Sequence, residues 1–219
     1  MTTACQVPSE LPGYYIKDDY FAGGGWNKAG GNLQSLLFYH KALQELRQST
    51  YAGVFEFAYK GGYSIHDYGC AEGDGTALLQ ANFPMAPVKG FDLQPAAVMN
   101  AQRRWPTIQF EVGDIMKPKE VSPIIWTSHT VEHLPDPAAA VRGLLQRCRW
   151  LIVLVPPIGD HDESDAHAGA VGVNTWTNQV GVSPLFTRYF ITERRDVDKP
   201  RAMLLEETLL FMYQGMLHF

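Results

Sequence analysis

The chain has 219 residues, of which 46% are hydrophobic, and this length is enough for one domain with a sizeable core. Its 18 Lys and Arg residues and 23 Asp and Glu residues give a net charge of −5 with no basic stripe, which argues against a nucleic-acid partner. No apolar run reaches the roughly 18 residues that cross a bilayer and no signal peptide opens the sequence, so we expect a cytoplasmic protein without membrane insertion.

The first 60 residues combine an aromatic lead with a helical pattern. Residues 32–48 predict an amphipathic helix, because leucines recur there at helical spacing: Leu33, Leu36, Leu37, Leu43 and Leu46. The lead contains a glycine triplet at 23–25, which suits either a mobile lid or a surface turn. Its aromatic side chains could contact a ligand or only pack the helix onto a sheet: Tyr14, Tyr15, Tyr20 and Trp26.

A glycine-rich turn follows the first predicted strand. The strand begins near residue 63 and ends at Asp67, and Gly69, Gly73 and Gly75 precede a helix that begins near Thr76. Glycine permits positive φ, and a helix N-terminus offers unpaired N–H groups, so such turns bind nucleotide-like cofactors in open α/β sheets. The spacing is G-x-x-x-G-x-G rather than G-x-G-x-x-G, which disfavours an NAD-dependent oxidoreductase.

Three further short strands are predicted between residues 88 and 128. The first covers 88–92 and ends at Asp92, where an acid can accept hydrogen bonds from both hydroxyls of an adenosine ribose. The second, 108–115, contains the pair Gly113-Asp114, and the third covers 123–128. Helical patterns separate these strands, and this alternation predicts a parallel sheet with right-handed crossovers.

The C-terminal part continues the alternation. Residues 136–147 predict a helix, 150–155 a strand buried on both faces, and 184–192 and 206–213 the last two strands. The polar loop 156–183 carries four acids and two histidines, His161 and His167, which either attract a cationic substrate or only keep the loop solvated. Cysteines stand at 5, 70 and 148, and so sparse a set predicts reduced thiols.

These motifs together resemble the class I S-adenosylmethionine (SAM) methyltransferases over about residues 60–157. The glycine turn is similar to the family's first motif, with Ala71 in place of its middle glycine. Asp92 and the Gly113-Asp114 pair stand in the family's order. The string E-H-L-x-D-P, from Glu132 to Pro137, is similar to the segment after the fourth strand in bacterial small-molecule methyltransferases, which include the ubiquinone-pathway O-methyltransferases.

The resemblance implies a Rossmann-like α/β fold with a seven-stranded, mostly parallel, doubly wound sheet, an antiparallel last strand and an N-terminal helical lid. We expect one methyltransferase domain over 1–219. Its parts would be a lid at 1–60, a SAM-binding core at 61–157, a substrate-side loop with a short helix at 158–183, and C-terminal strands at 184–219. Asn174 and Trp176 resemble the pattern with which the family opens that short helix.

The resemblance also implies the cofactor, SAM with S-adenosylhomocysteine as product, and the residues that bind it. Residues from the glycine turn would line the methionine part: Asp67, Gly69, Cys70 and Gly73. Asp92 would bind the ribose while Leu93 packs on the adenosine, and Asp114 and Ile115 would flank the adenine. Ser128 and His129 would lie near the methionine carboxylate and amine. For Cys70, a small residue that fits a tight turn is a simpler interpretation than a catalytic thiol.

Methyl transfer to a hydroxyl requires alignment and removal of a proton, and histidine suits the second task because its pKa lies near neutrality. His133 and His129 follow the fourth strand and are the candidate catalytic residues, although the Glu132–His133 pair could instead be a structural hydrogen bond. We expect a small-molecule acceptor, methylated on a hydroxyl oxygen, and a monomer or homodimer. Methylation of an amine and a SAM-binding module without transfer activity are the alternatives.

Residues 129–133 also match H-x-x-E-H, a metallopeptidase motif that requires a helix. The string follows a strand and is cut short by Pro135, which disfavours a peptidase. Some relatives bind a divalent metal through E-x-x-E-H and a later histidine, and here His129 replaces the first glutamate, with His161 or His167 as the later group. We assign no metal ligand, and this alternative stays open.

Overall fold

A seven-stranded sheet forms the centre of the protein, as predicted. The computed structural model describes residues 31–60, 63–156, 178, 180–195 and 203–217. The strands are β1 (Ile65–Tyr68), β2 (Val88–Asp92), β3 (Gln109–Val112), β4 (Ser122–Ser128), β5 (Cys148–Val155), β6 (Phe186–Arg195) and β7 (Met203–Gln214). Their order is β3-β2-β1-β4-β5-β7-β6. Strands β1 to β5 are parallel, and β7 is antiparallel to both β5 and β6.

Helices connect the strands and cover the sheet. They are α1 (Gly31–Arg47), α2 (Ala52–Tyr59), α3 (Asp74–Asn82), α4 (Pro95–Arg104) and α5 (Pro137–Leu145), with one 3-10 turn at Val131–His133. The predicted helices at 32–48 and 136–147 are confirmed, with ends that shift by up to two residues, and α3 and α4 separate the strands as the helical patterns predict. Helix α2 has no counterpart among the elements predicted from the sequence. No helix in the described part of the chain is long and apolar enough to cross a membrane.

Two apolar layers lie on opposite faces of the sheet. On one face, α1, α2 and α3 bury Leu43, Phe55 and Leu79 against Trp126 of β4. On the other face, α5 packs against the side chains of β5 and β7 that lie on that face. Successive residues of β5 alternate between the two layers, and 151–155 are all at most 1% exposed. This confirms the prediction of a central strand buried on both faces.

The buried face of α1 differs from the leucine stripe that the sequence predicts. Leu43 and Leu46 are buried, but Leu33 is 51% exposed. Phe38 and Tyr39 are buried in its place and lie against the carboxyl end of the sheet. The helix therefore contributes aromatic side chains to the edge where the site lies. The aromatic lead before residue 31, and with it Tyr14, Tyr15, Tyr20 and Trp26, lies outside the described residues.

Parallel pairing places the candidate residues at one edge of the sheet. Asp67 of β1 pairs with Gly90 of β2 on one side and with Trp126 of β4 on the other. Because the carboxyl ends of these strands are aligned, the glycine turn after β1, the acid at the end of β2 and the segment after β4 converge.

Candidate functional site

The glycine turn after β1 contains three residues with left-handed backbone. Gly69 has φ of 80°, Ala71 48° and Gly73 82°. A side chain at Gly69 would collide with the Thr130 hydroxyl, since its Cβ would lie 2.1 Å from that oxygen. Ala71 adopts the conformation that the family's middle glycine would favour, at a steric cost that an L-residue pays there.

Asp92 joins this turn to the end of β2. Its Oδ2 accepts a 2.9 Å hydrogen bond from the Ala71 N–H, and its Oδ1 accepts one of 2.9 Å from the Gln94 N–H. The side chain is half-buried, and burial raises the carboxyl pKa while the backbone donors oppose that rise. The Leu93 N–H is a third backbone donor to this carboxylate, and since a carboxylate has about four acceptor positions, capacity remains for a hydroxyl donor. Beside it, the buried Gln94 Oε1 has no hydrogen-bond partner among the described residues.

Asp67 is fully buried and serves as a support of the turn. Its Oδ1 accepts from the Tyr39 hydroxyl at 2.7 Å, and its Oδ2 accepts from Thr76 Oγ1 at 2.6 Å. Burial raises its pKa to about 7, and the neighbouring Asp92 adds to this effect. Contact of Asp67 with a cofactor stays a prediction, since the structure gives both oxygens partners from the protein.

The leucine spacing that predicts α1 gave no indication of the role of Tyr39. Its ring also explains the third glycine of the turn, because a Cβ at Gly75 would lie 2.5 Å from the Tyr39 ring. Two aromatic residues next to each other in a predicted amphipathic helix were the available signal.

Two residues of α4, Arg104 and Asn100, donate hydrogen bonds to the other side of the glycine turn. Arg104 donates to both oxygens of Asp74, at 2.7 and 2.6 Å, and to Glu72 Oε2 at 3.2 Å. Asn100 donates to Glu72 Oε1 at 2.8 Å. Glu72 and Asp74 are both buried, and burial raises the pKa of Asp74 although Arg104 lowers it. Arg104, at the C-terminal end of α4, therefore has specific partners that are distant in sequence.

Cys70 is buried in the turn, where burial and the nearby Asp92 raise its thiol pKa well above the usual value. A neutral thiol fits the interpretation of a small residue in a tight turn. Burial also raises the pKa of Cys148 to about 12, and both cysteines are free. Cys5 lies outside the described residues.

The Gly113-Asp114 pair lies next to the end of β2. The Gly113 N–H donates to the Asp92 carbonyl at 2.9 Å, and Asp114 Oδ1 accepts from the Met116 N–H at 2.8 Å. Ile115 is buried in the core together with Phe91. The structure thus brings Asp114 close to Asp92, and Leu93 directly follows Asp92. That Asp114 and Ile115 flank an adenine stays a prediction.

Ser128 is the last residue of β4, and His129 follows it at the carboxyl edge of the sheet. His129 has a left-handed backbone, with φ of 49°, and its N–H donates to the Leu154 carbonyl at 2.9 Å. Its ring stacks on Phe38 with centroids 3.8 Å apart. Ser128 Oγ lies 3.2 Å from the ring Nδ1. The His129 backbone N–H is therefore engaged by β5, and any contact with a cofactor would come from other atoms of these two residues.

Glu132 and His133 lie on the 3-10 turn that follows. Glu132 is buried, neither of its carboxylate oxygens has a hydrogen-bond partner among the described residues, and burial raises its pKa to about 8. His133 is partly exposed, and its Nε2 lies 3.9 Å from Glu132 Oε1. This distance is too long for the structural hydrogen bond that the sequence analysis left open.

The described residues bear on part of the two metal-binding alternatives. The H-x-x-E-H string lies on a strand end and a 3-10 turn, which lacks the helix that a metallopeptidase motif needs. Within the described ranges, no group of three or more His, Cys, Asp or Glu side chains could hold a metal ion. The other two proposed ligands, His161 and His167, lie outside those ranges, as do Asn174 and Trp176.

Comparison with known sequences gives a match to the family described as "Methyltransferase domain" over residues 66–149. A trans-aconitate 2-methyltransferase from Methylobacterium radiotolerans is 36% identical over 95 residues, which is 41% of this chain and 36% of that protein. The Escherichia coli enzyme of the same name is 35% identical over 74 residues, or 33% of this chain and 29% of that protein. The match therefore spans about a third of the length of these relatives.

Solved structures share the fold at low sequence identity. The magnesium protoporphyrin IX methyltransferase of Synechocystis, solved with bound SAM, superposes with a TM-score of 0.56 and 19% identity over 94% of this chain and all of its own. A plantazolicin methyltransferase gives a TM-score of 0.58 and 13% identity over 90% of this chain and 93% of its own. Residues 66–149 are therefore similar in sequence to a methyltransferase domain, and the seven-stranded sheet shares the Rossmann-like fold of these solved structures.

Proposed function

We propose that this protein is a SAM-dependent methyltransferase that acts on a small-molecule acceptor, at a hydroxyl oxygen. The observation that carries the proposal is the link between the two strand ends: the Ala71 N–H in the glycine turn donates to Asp92 at the end of β2. This link places a half-buried carboxylate beside a turn of left-handed residues, at the edge of the sheet where cofactors bind in this fold.

The residues present fit an adenosine-containing cofactor. Asp92 retains acceptor capacity for a ribose hydroxyl, and Gln94 Oε1, which has no partner among the described residues, would accept from a further donor. Asp114 lies near Asp92, as an adenine contact requires. When bound, SAM supplies a methyl group activated by a sulfonium centre.

The segment after β4 supplies the candidate chemistry for the acceptor. His133 is partly exposed, so its imidazole can reach a ligand and take the proton of an acceptor hydroxyl. His129 is held between α1 and β4 and would shape the same end of the site. Most of the rate would come from alignment of the acceptor oxygen with the methyl carbon, since such positioning replaces a bimolecular encounter.

Two alternatives are kept. Transfer to an amine needs less from a base, and a protein that binds SAM without transferring its methyl group would leave His133 without a role. The relatives named trans-aconitate 2-methyltransferase add organic acids to the candidate acceptors, because their named substrate is one.

The test is an acceptor screen by mass spectrometry with SAM as donor. The panel contains small alcohols and phenols, organic acids and amines, and Asp92→Ala serves as the control that should bind the cofactor more weakly. A product heavier by one CH2 from a hydroxyl compound supports the proposal, and one from an amine favours N-methylation. Firm binding of S-adenosylhomocysteine without any product would favour the module without transfer activity.

A further inference from the structure

The imidazole of His129 is held by two elements that are distant in sequence. Phe38 of α1 stacks on the ring with centroids 3.8 Å apart and an angle of 7° between the planes. Thr208 of β7 places its Oγ1 3.4 Å from the ring Nε2, and Ser128 Oγ lies 3.2 Å from Nδ1. Each ring nitrogen thus faces a hydroxyl, and a hydroxyl can donate to one nitrogen or accept from the other.

The backbone at His129 is tied to the glycine turn. Its left-handed φ of 49° ends β4 and turns the chain, so that Thr130 Oγ1 lies 3.0 Å from the Ser128 carbonyl and 3.5 Å from that of Gly69. A non-glycine residue keeps such a conformation where its surroundings determine it. Phe38, Thr208 and the bond from the His129 N–H to Leu154 are those surroundings.

We propose that Phe38 and Thr208 are positioning residues that fix the orientation of His129, and through it the contact between the segment after β4 and Gly69. Docking of α1 and β7 on the sheet then decides whether the methionine end of the cofactor site has its binding shape. The link to the cofactor rests on the proposed function, whereas the orientation of the ring does not depend on it.

The orientation is tested by nitrogen-resolved NMR of the imidazoles without any ligand. The His129 signal is assigned by its loss in His129→Asn. Thr208→Val removes the hydroxyl at Nε2 with little change of volume, and we expect it to shift the tautomer balance of His129. Thr127→Val is the matched control, because Thr127 is equally buried in β4 and its hydroxyl has no hydrogen-bond partner among the described residues. A His129 spectrum that is unchanged in Thr208→Val would overturn the positioning role.

The link to the cofactor is tested by a double-mutant cycle on S-adenosylhomocysteine binding. We expect Thr208→Val and Phe38→Leu each to raise the Kd at least about threefold in the parent chain, and to have almost no effect in the His129→Asn chain, because both act through the same ring. An equal effect in both backgrounds would contradict the proposal. If the parent chain binds no S-adenosylhomocysteine, the proposed function fails, and the NMR result still decides the orientation of His129.

Discussion

Three carboxyl groups near the carboxyl edge of the sheet have different surroundings. Asp67 is fully buried, and both its oxygens accept hydrogen bonds from protein hydroxyls. Asp92 is half-buried and accepts hydrogen bonds from backbone N–H groups. Glu132 is buried, and its oxygens have no hydrogen-bond partner among the described residues. Of these three, only Asp92 combines backbone donors with a partly exposed side chain. It is therefore the one of the three that we expect a ligand to contact directly.

Replacement of Asp92 should therefore weaken cofactor binding. Asp92→Ala removes both the acceptor for ribose hydroxyls and the partner of the Ala71 N–H, and we expect S-adenosylhomocysteine binding to weaken by about 1–3 kcal/mol in a calorimetric titration. Asp136→Ala is the control, since Asp136 caps α5 through the Ala139 N–H and should cost about 1 kcal/mol of stability without affecting binding. An Asp92→Ala protein with the parent's affinity would refute the assignment.

His133 should affect turnover rather than binding. Once an acceptor is known, His133→Ala should lower kcat by about 100-fold or more if the imidazole takes the acceptor's proton, while the affinity for S-adenosylhomocysteine stays nearly unchanged. His40→Ala, at an exposed position on α1, should leave both quantities at the parent values. A His133→Ala enzyme as fast as the parent would leave His133 with a structural role only.

Glu132 should make the folded protein less stable as the pH rises. Its pKa is raised from 4.5 to about 8 in the folded state, so the folded state binds more protons than the unfolded state in that interval. The contribution of the protonated Glu132 carboxyl to the free energy of unfolding is fully present below pH 4.5 and is lost as the pH rises through 8. The total loss has an upper limit of about 5 kcal/mol.

In Glu132→Gln the side chain is neutral at every pH, so we expect most of the pH-dependent loss of stability to disappear. The measurement is the free energy of unfolding in urea between pH 5 and pH 8, compared with the parent. Glu56→Gln, on the exposed surface of α2, controls for the loss of one acid. Parallel pH profiles for Glu132→Gln and the parent would show that the Glu132 carboxyl has an ordinary pKa.

At the scale of elements, α4 supports the glycine turn through Arg104. Arg104→Met keeps most of the side-chain length but leaves the buried Glu72 and Asp74 without their cation. We expect a loss of about 2 kcal/mol of stability, less than for a fully buried pair because Arg104 is partly exposed, together with weaker binding of S-adenosylhomocysteine.

Arg103→Met is the matched variant on the same helix. Arg103 bonds to Asn100 at the surface, so its loss should change stability by less than about 0.5 kcal/mol. Equal effects of the two substitutions, on stability and on binding, would contradict the supporting role of Arg104.

The same elements show what the sequence could predict. Strand and helix periods located β1 to β5 and α3 to α5, because apolar spacing reports which faces are buried. The period of α1 was found as well, but its buried aromatic face was not, since leucine spacing alone cannot show that Phe38 and Tyr39 face the site. The bonds of Arg104 to Asp74 and of Tyr39 to Asp67 were also missed, because they join residues about 30 positions apart.

At the scale of the whole molecule, the strand order explains why the site lies where it does. β1 is flanked by β2 and β4, and the chain leaves these strands at the same edge of the sheet. The insertion of β7 between β5 and β6 brings Thr208 to His129, and α1 brings Tyr39 to Asp67. Motif order along the chain predicted that these strand ends meet at one edge of the sheet, whereas the two contacts required the fold.

The most direct test of the account is an isothermal titration of the purified protein with S-adenosylhomocysteine, in parallel with NADH. The glycine spacing, the Asp92–Ala71 link and the sheet order predict micromolar binding of S-adenosylhomocysteine and no binding of NADH. Binding of NADH without binding of S-adenosylhomocysteine would contradict the methyltransferase assignment and the cofactor site on which it depends.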